Sequence, residues 1–283
     1  MNTPENATVE AAATPAVIGR WRFRRLTLVM LGGIVLIVVA VTAVEIAYKG
    51  TAQYRDAVIR LHPAGYWQLG ETSGTRGRDE VTGKYDATFH NVGLGVAGPI
   101  AHNTTTAPSF NGLNSFIDLG DKWNFPGTSP FTLVAWVKPT LVTNQFQRIF
   151  SDETRTAART GYAVWLNRTP SGVILGFERM LDYTSKGGVQ DSVTAHVHIP
   201  GTAYALVAAV FDGRRLRLFV NEELVAQSIP AIPLGLPNSK SSLYLGRFTG
   251  AAESAFEGAI AQVAIFRSGL SLLELQELYT AAK

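Results

Sequence analysis

The sequence predicts an all-β protein, an antiparallel sandwich carried behind one membrane-spanning helix. Three observations lead there. From Gly65 onward, short runs of aromatic and β-branched residues alternate with Gly, Pro, Asn and Asp, the texture of strands and tight turns. More than a dozen such runs follow one another with no helical pattern between them, which argues packed antiparallel sheets rather than an α/β fold. Ahead of them, Leu26–Val44 carries no charge and is about as long as the ~20 residues a bilayer-crossing helix needs.

Taken in order, residues 1–25 are rich in Ala, Thr, Pro and Asn and end in Arg20, Arg22, Arg24 and Arg25. Only a helix satisfies its own backbone in lipid, so residues 26–44 are expected to be helical. The arginines precede that run, so the positive-inside rule places the tail in the cytoplasm and the rest outside the membrane. Val41-Thr42-Ala43 offers small residues for signal-peptide cleavage. The apolar run exceeds the roughly 7–15 residues of a signal core, however, and the basic cluster starts far from the N-terminus, so an uncleaved single-pass anchor is the preferred reading. Residues 45–62 place Tyr54, Val58 and Leu61 at helical spacing before Pro63, which predicts a juxtamembrane stalk helix.

Residues 63–283 form the expected sandwich domain. Its predicted strands are 66–69, 87–91, 115–119, 131–138, 147–151, 161–167, 173–178, 193–199, 205–211, 216–220, 224–227, 242–246 and 258–266. Leu216, Leu218 and Val220 alternate with Arg215, Arg217 and Phe219, as in a sheet with one wet face. The turn after Val220 is expected to use Asn221 in a left-handed conformation. Ser271 and Glu274 form a capping box, and Leu275, Leu278 and Tyr279 line one face of a closing helix.

Composition removes several functions. There is no cysteine, so neither disulfides nor thiolate chemistry enter. The first 49 residues hold five basic and three acidic groups, leaving 20 basic and 19 acidic residues in the remainder. A near-neutral outer domain has no electrostatic footprint for nucleic acid.

Tyr66–Thr75 (YWQLGETSGT), Ser109-Phe-Asn-Gly112 with Phe116–Leu119, Phe131–Pro139, Ala208–Gly213 with Leu216–Val225, and Phe256–Phe266 with the Ser271 helix occur in an order and spacing that resembles the laminin-G-like, or concanavalin A-like, jelly-roll family in a membrane-anchored bacterial form. The resemblance implies two antiparallel sheets and roles in binding glycans or proteins. It also implies a rim Ca²⁺ held by acidic side chains and carbonyls, for which Glu71, Asp79, Gly83 and Asp86 stand in place. The last strand departs from the family pattern, with Ala261-Gln262 where an Asp-Glu pair is common, and this weakens the case for Ca²⁺.

No Glu-x-Asp-x-x-Glu strand appears, and Asp152-Glu153 and Glu222-Glu223 are adjacent pairs that a strand would point to opposite faces. Two distant acids could still converge on a glycosidic bond. Gly93-Leu-Gly95-Val-Ala-Gly98 is followed by Pro99 rather than a helix, so it reads as a Gly-rich connection and not a dinucleotide fingerprint. His196 and His198 share one strand face, a spacing that suits zinc but lacks an evident third ligand. Sugar recognition calls for aromatic faces beside planar hydrogen-bonding groups. The candidates are Trp123, Arg148, Trp165, Arg179, Tyr183 and Arg247, with residues 152–160 and 179–191 as the expected ligand loops. The expectation is a non-catalytic, membrane-tethered, extracytoplasmic module that recognises a glycan or an envelope component and contacts the lipid bilayer through residues 26–44. A structural or adhesive protein–protein domain is the alternative, and a polysaccharide-cleaving hydrolase the second alternative.

Overall fold

The computed structural model describes residues 53–100, 105–140, 146–155, 158–184, 187–229, 241–248 and 254–283, without the side chains of Arg155, Asp182 and Tyr183. The tail, the expected span 26–44 and the first part of the expected stalk lie outside the described residues. Among the described residues, no helix is long and apolar enough to cross a membrane.

After a helix α1 over residues 53–60, the strands are β1 (Gly65–Trp67), β2 (Arg76–Gly77), β3 (Ala87–His90), β4 (Gly93–Ala97), β5 (Thr106–Asn111) and β6 (Phe116–Asp118). The middle of the chain supplies β7 (Phe131–Pro139), β8 (Phe146–Arg155), β9 (Arg159–Thr169), β10 (Gly172–Thr184) and β11 (Gly187–Val197). Then come β12 (Ala205–Phe211), β13 (Leu216–Val220), β14 (Glu223–Gln227), β15 (Tyr244–Leu245), β16 (Glu257–Phe266) and helix α2 (Leu272–Ala281). They make two antiparallel sheets. The first runs β14-β13-β12-β7-β16-β5-β4, with β1 paired on β16; the second runs β11-β10-β9-β8-β15-β6-β3-β2.

The sheets close on one core in which Phe131, Leu133, Val207 and Ile265 of the first meet Phe150, Val164, Leu175 and Phe177 of the second. The first sheet is buried on its other side as well. Tyr54 and Val58 of α1 and Leu275 and Leu278 of α2 pack with Trp136, Leu206, Phe219 and Phe266. That second cover explains why β7 and β12 are apolar on both faces, and why Phe219 is buried where a wet face is expected. It also shows that α1, where described, does not stand free as a stalk. Tyr54 meets Trp136 edge-on at 6.3 Å, and Arg60 pairs with Glu277 of α2. The capping box forms as expected, with the Ser271 amide donating to Glu274 at 2.7 Å and the Glu274 amide to Ser271 Oγ at 3.3 Å.

Among the described residues, no helix lies on the outer face of the second sheet, because both described helices pack in the cluster on the first. Gly93–Ala97, expected as a connection, is strand β4. Much of 152–160 and 179–191, expected as loops, extends the long strands β8 to β11.

Candidate functional site

The outer face of the second sheet gathers polar and aromatic groups because β8 carries a bulge. Arg148 pairs with Trp165 and Phe150 pairs with Val164, so one extra residue enters β8 between them. Up to the bulge, Phe146 and Arg148 point outward; beyond it, Phe150 turns into the core while Ser151 and Glu153 point outward. Simple alternation would have buried Arg148 or Glu153 in the core, since they are five residues apart. The bulge puts both on one face, where Arg148 Nε donates to Glu153 Oε2 at 3.0 Å and Ser151 Oγ to the same oxygen at 2.8 Å.

Trp165 of β9 lies over Gly176 of β10, its cross-strand neighbour. A Cβ at Gly176 would sit 2.2 Å from the indole ring, so only glycine lets this ring lie flat on the sheet. Phe146 stands edge-on to it, with ring centroids 5.0 Å apart and planes at 68°. Phe146 is 47% exposed and Trp165 is half-buried.

These rings open onto a cleft of about 390 Å³ lined by Phe146, Arg148, Arg159, Trp165, Glu178, Phe248 and Ser254. Its floor is a quartet of two guanidinium and two carboxylate groups. Arg148 Nη2 reaches Glu178 Oε1 at 3.3 Å, Arg159 Nη2 reaches the same oxygen at 2.9 Å, and Arg159 also donates to Glu153 from both Nε and Nη2. Gln190 Nε2 donates to the other Glu178 oxygen at 2.7 Å. Burial works against the charge of Arg159, but Glu153 and Glu178 outweigh it and hold the guanidinium firmly protonated. The quartet sums to zero charge, and each acid is already matched by both arginines.

That arrangement bears on chemistry. Glu153 is fully buried and accepts from both arginines and from Ser151. Both Glu178 oxygens are occupied. Acids locked in this way give stiffness and neutrality to a binding floor. A glycosidase needs instead one acid free to protonate a leaving group and a second to attack or to activate water.

The structure brings together Arg148 and Trp165 of the predicted ligand residues. Arg247 lies on the same face, its guanidinium carbon 4.8 Å above the Phe116 ring. Trp123 does not join them. It is 2% exposed in the core, edge-on to Trp67 at 5.2 Å, with Nε1 donating to Leu119 O at 2.7 Å. Arg179 faces the other way, into the sandwich. It is fully buried 3.7 Å over the Phe211 ring, and Nη2 donates to Gly127 O at 2.5 Å. Burial pushes its guanidinium down to about 10, against the pull of Asp191, which pairs across the strands from it. Tyr183 is in β10, but its side chain lies outside the description. Phe146, Arg159, Glu153, Glu178 and Gly176 complete the site. Strand alternation would have found Glu178 and Trp165 on matching faces; the bulge that recruits Glu153 leaves no comparable trace in the sequence.

Donors from the loop itself reach several of the oxygens expected around Ca²⁺. Asp79 Oδ1 accepts from the amides of Tyr66 and Val81, and Oδ2 from the amide and hydroxyl of Thr82. Asp86 Oδ1 accepts from the Asp79 amide, and Glu71 Oε1 from the Arg78 amide. Gly83 takes a left-handed turn, φ 66°, and its amide donates to Asp79 O. N–H and O–H donors thus reach both Asp79 oxygens, Asp86 Oδ1 and Glu71 Oε1, whereas Glu71 Oε2 is buried with no hydrogen-bond partner. Gln262, where the family commonly carries an acid, accepts from Tyr66 Oη through its side-chain oxygen. Among the described residues, no group of three or more His, Asp or Glu side chains could hold a metal ion, and His196 and His198 are both exposed.

Two all-antiparallel sheets around one core, one of them carrying a polar and aromatic cleft on its outer face, define a jelly-roll sandwich. The chain belongs to the concanavalin A-like lectin/glucanases superfamily, whose sequence profile matches residues 111–276. No curated protein matches the sequence. Solved structures share the fold. The fourth domain of AbnA, an extracellular GH43 arabinanase from Geobacillus stearothermophilus in complex with arabinotriose, superposes with a TM-score of 0.56 at 16% identity, covering 78% of this chain and 98% of that domain. The binding domain of botulinum neurotoxin DC in complex with SialylT gives 0.55 at 13% identity, over 78% of this chain and 52% of that one. The serotype D/C VPI 5993 binding domain gives 0.54 at 13% identity over the same shares. This chain thus spans about half the length of the toxin domains. At these identities the likeness is one of fold.

Proposed function

We propose that this protein is a membrane-tethered glycan-binding module whose site is the cleft over Trp165. One observation carries the reading: an indole laid flat on Gly176, flanked by Phe146, above a charge-neutral floor of Arg148, Arg159, Glu153 and Glu178. A flat aromatic face accepts the C–H side of a sugar ring, and fixed guanidinium and carboxylate groups order its hydroxyls. Arabinotriose and SialylT in two of the related structures support a saccharide as the ligand class. The module acts without catalysis, because its acids are tied into ion pairs. Residues 26–44 anchor it in the cell membrane, with residues 1–25 in the cytoplasm and the sandwich outside. Confinement to a surface raises the effective concentration of the site, so modest affinity is enough to hold envelope glycans or their carriers.

The full-length protein in detergent, applied to a glycan array and to isolated envelope polysaccharide, tests this. Binding is expected, with no release of reducing ends. Trp165→Ala is expected to weaken it at least tenfold, about 1.4 kcal/mol, while leaving the thermal transition in place. A wild-type protein that binds no glycan, or that binds equally well without the indole, would refute the assignment.

A further inference from the structure

We infer that the binding site extends beyond the cleft to a second aromatic shelf, and that the ligand is therefore a linear glycan chain rather than a single sugar. The inference rests on the glycan reading of the Trp165 cleft. The shelf is built on β3, β6 and β15. His90 and Phe116 pair directly across β3 and β6, with their rings stacked 4.2 Å apart at 6°. Tyr244 of β15 lies 5.0 Å from Phe116, and the Arg247 guanidinium covers the same ring at 4.8 Å. All four are half-buried rather than sealed. Their neighbours in sequence, Phe89, Ile117 and Leu245, are buried in the core, so alternation sets the shelf on the outer face, the face of the cleft.

Shelf and cleft are physically continuous. Arg247 Nε donates to Phe248 O at 3.4 Å, and the Phe248 ring lies 6.0 Å from the Arg148 guanidinium in the cleft. From Trp165 on β9 to His90 on β3 the sheet order is β9-β8-β15-β6-β3. Four inter-strand steps of about 4.8 Å make a span of roughly 19 Å, several times the width of one sugar ring. Aromatic rings at both ends of such a span, with arginines between, suit a chain lying across the strands; Phe116, stacked on His90 and capped by Arg247, props the shelf that His90 and Tyr244 offer. A monosaccharide would use one end only. Both ends are electrically modest: the cleft quartet cancels internally, and at the shelf Asp118, which pairs across the strands with Tyr244, and Arg247 act on Tyr244 in opposite senses. A neutral or weakly charged polymer fits this face better than a polyanion.

Isothermal titration of the full-length protein with β-1,4-gluco-, β-1,3-gluco-, α-1,5-arabino- and β-1,4-N-acetylglucosamino-oligosaccharides, each from two to six units, tests the inference. For the series that binds, affinity is expected to rise at least tenfold between the shortest and longest members. In a His90→Ala/Tyr244→Ala variant that gain disappears while the affinity for the dimer stays at the wild-type value, which also reports that the variant is folded. Equal affinity for short and long members, or an equal loss for both in the variant, would overturn the second shelf and leave the Trp165 site standing. No binding by any series would overturn both.

Discussion

Asp79 ties its loop together by accepting from four donors, the amides of Tyr66, Val81 and Thr82 and the Thr82 hydroxyl. Burial pushes its carboxyl up, but the Thr82 hydroxyl and the amides of Val81, Thr82 and Tyr66 together outweigh burial and hold it below the ordinary 3.8. A carboxyl depressed on folding contributes its full stability above the unfolded value and loses it as pH falls through the folded one. Asp79→Asn is therefore expected to lower stability at pH 7 by about 1–3 kcal/mol. The gap from wild type should close as the pH drops below about 4, as read by urea unfolding across pH. EDTA should leave the melting temperature unchanged, since the loop's own donors satisfy Asp79; a fall in melting temperature would restore Ca²⁺ to it. The sequence offered this loop as a place for Ca²⁺. It could not show where the acids point, because the donors that satisfy them are backbone amides, which every residue but proline has.

Among the elements, β8, β9 and β10 make the site. Thirteen strands were legible from alternation and turn residues, and β12 and β13 fall on their expected bounds. Asn221 takes the left-handed turn with φ 57°. The strands that escaped notice, β2, β4 and β5, are short, Gly-rich or interrupted by Pro108, so they lack the apolar alternation that marks a strand. The β8 bulge escaped for a deeper reason. Ile149 and Phe150 are both apolar and both buried, so nothing local says that the register slips between them, yet the slip is what aligns Arg148 with Glu153. Gly176 has the clearest consequence. Gly176→Val is expected to push the indole off the sheet and weaken glycan binding at least tenfold, about 1.4 kcal/mol. Near-ultraviolet circular dichroism should change with it as the Trp165 environment changes. Unaltered binding would mean that the flat indole is not the recognition surface.

At the scale of the whole molecule, the two sheets have different duties. The first is sealed on both faces, by the core and by α1 and α2, so its outer side is structural. The second, among the described residues, is sealed on one face only, and its other face carries the polar and aromatic cleft. That division was hidden in the sequence, where α1 read as a stalk and Phe219 as part of a wet face, because helix–sheet docking depends on contacts between distant segments. It also makes one tryptophan distinctive. Trp67, Trp123 and Trp136 are buried, and among the described residues Trp165 alone offers a half-open indole. The most direct measurement is N-bromosuccinimide oxidation of the full-length protein, read peptide by peptide by mass spectrometry, with and without a saturating oligosaccharide found to bind. The account predicts that Trp165 is oxidised before Trp67, Trp123 and Trp136 in the free protein and is protected when the sugar is present. Equal oxidation of Trp165 in the bound and free protein would contradict it.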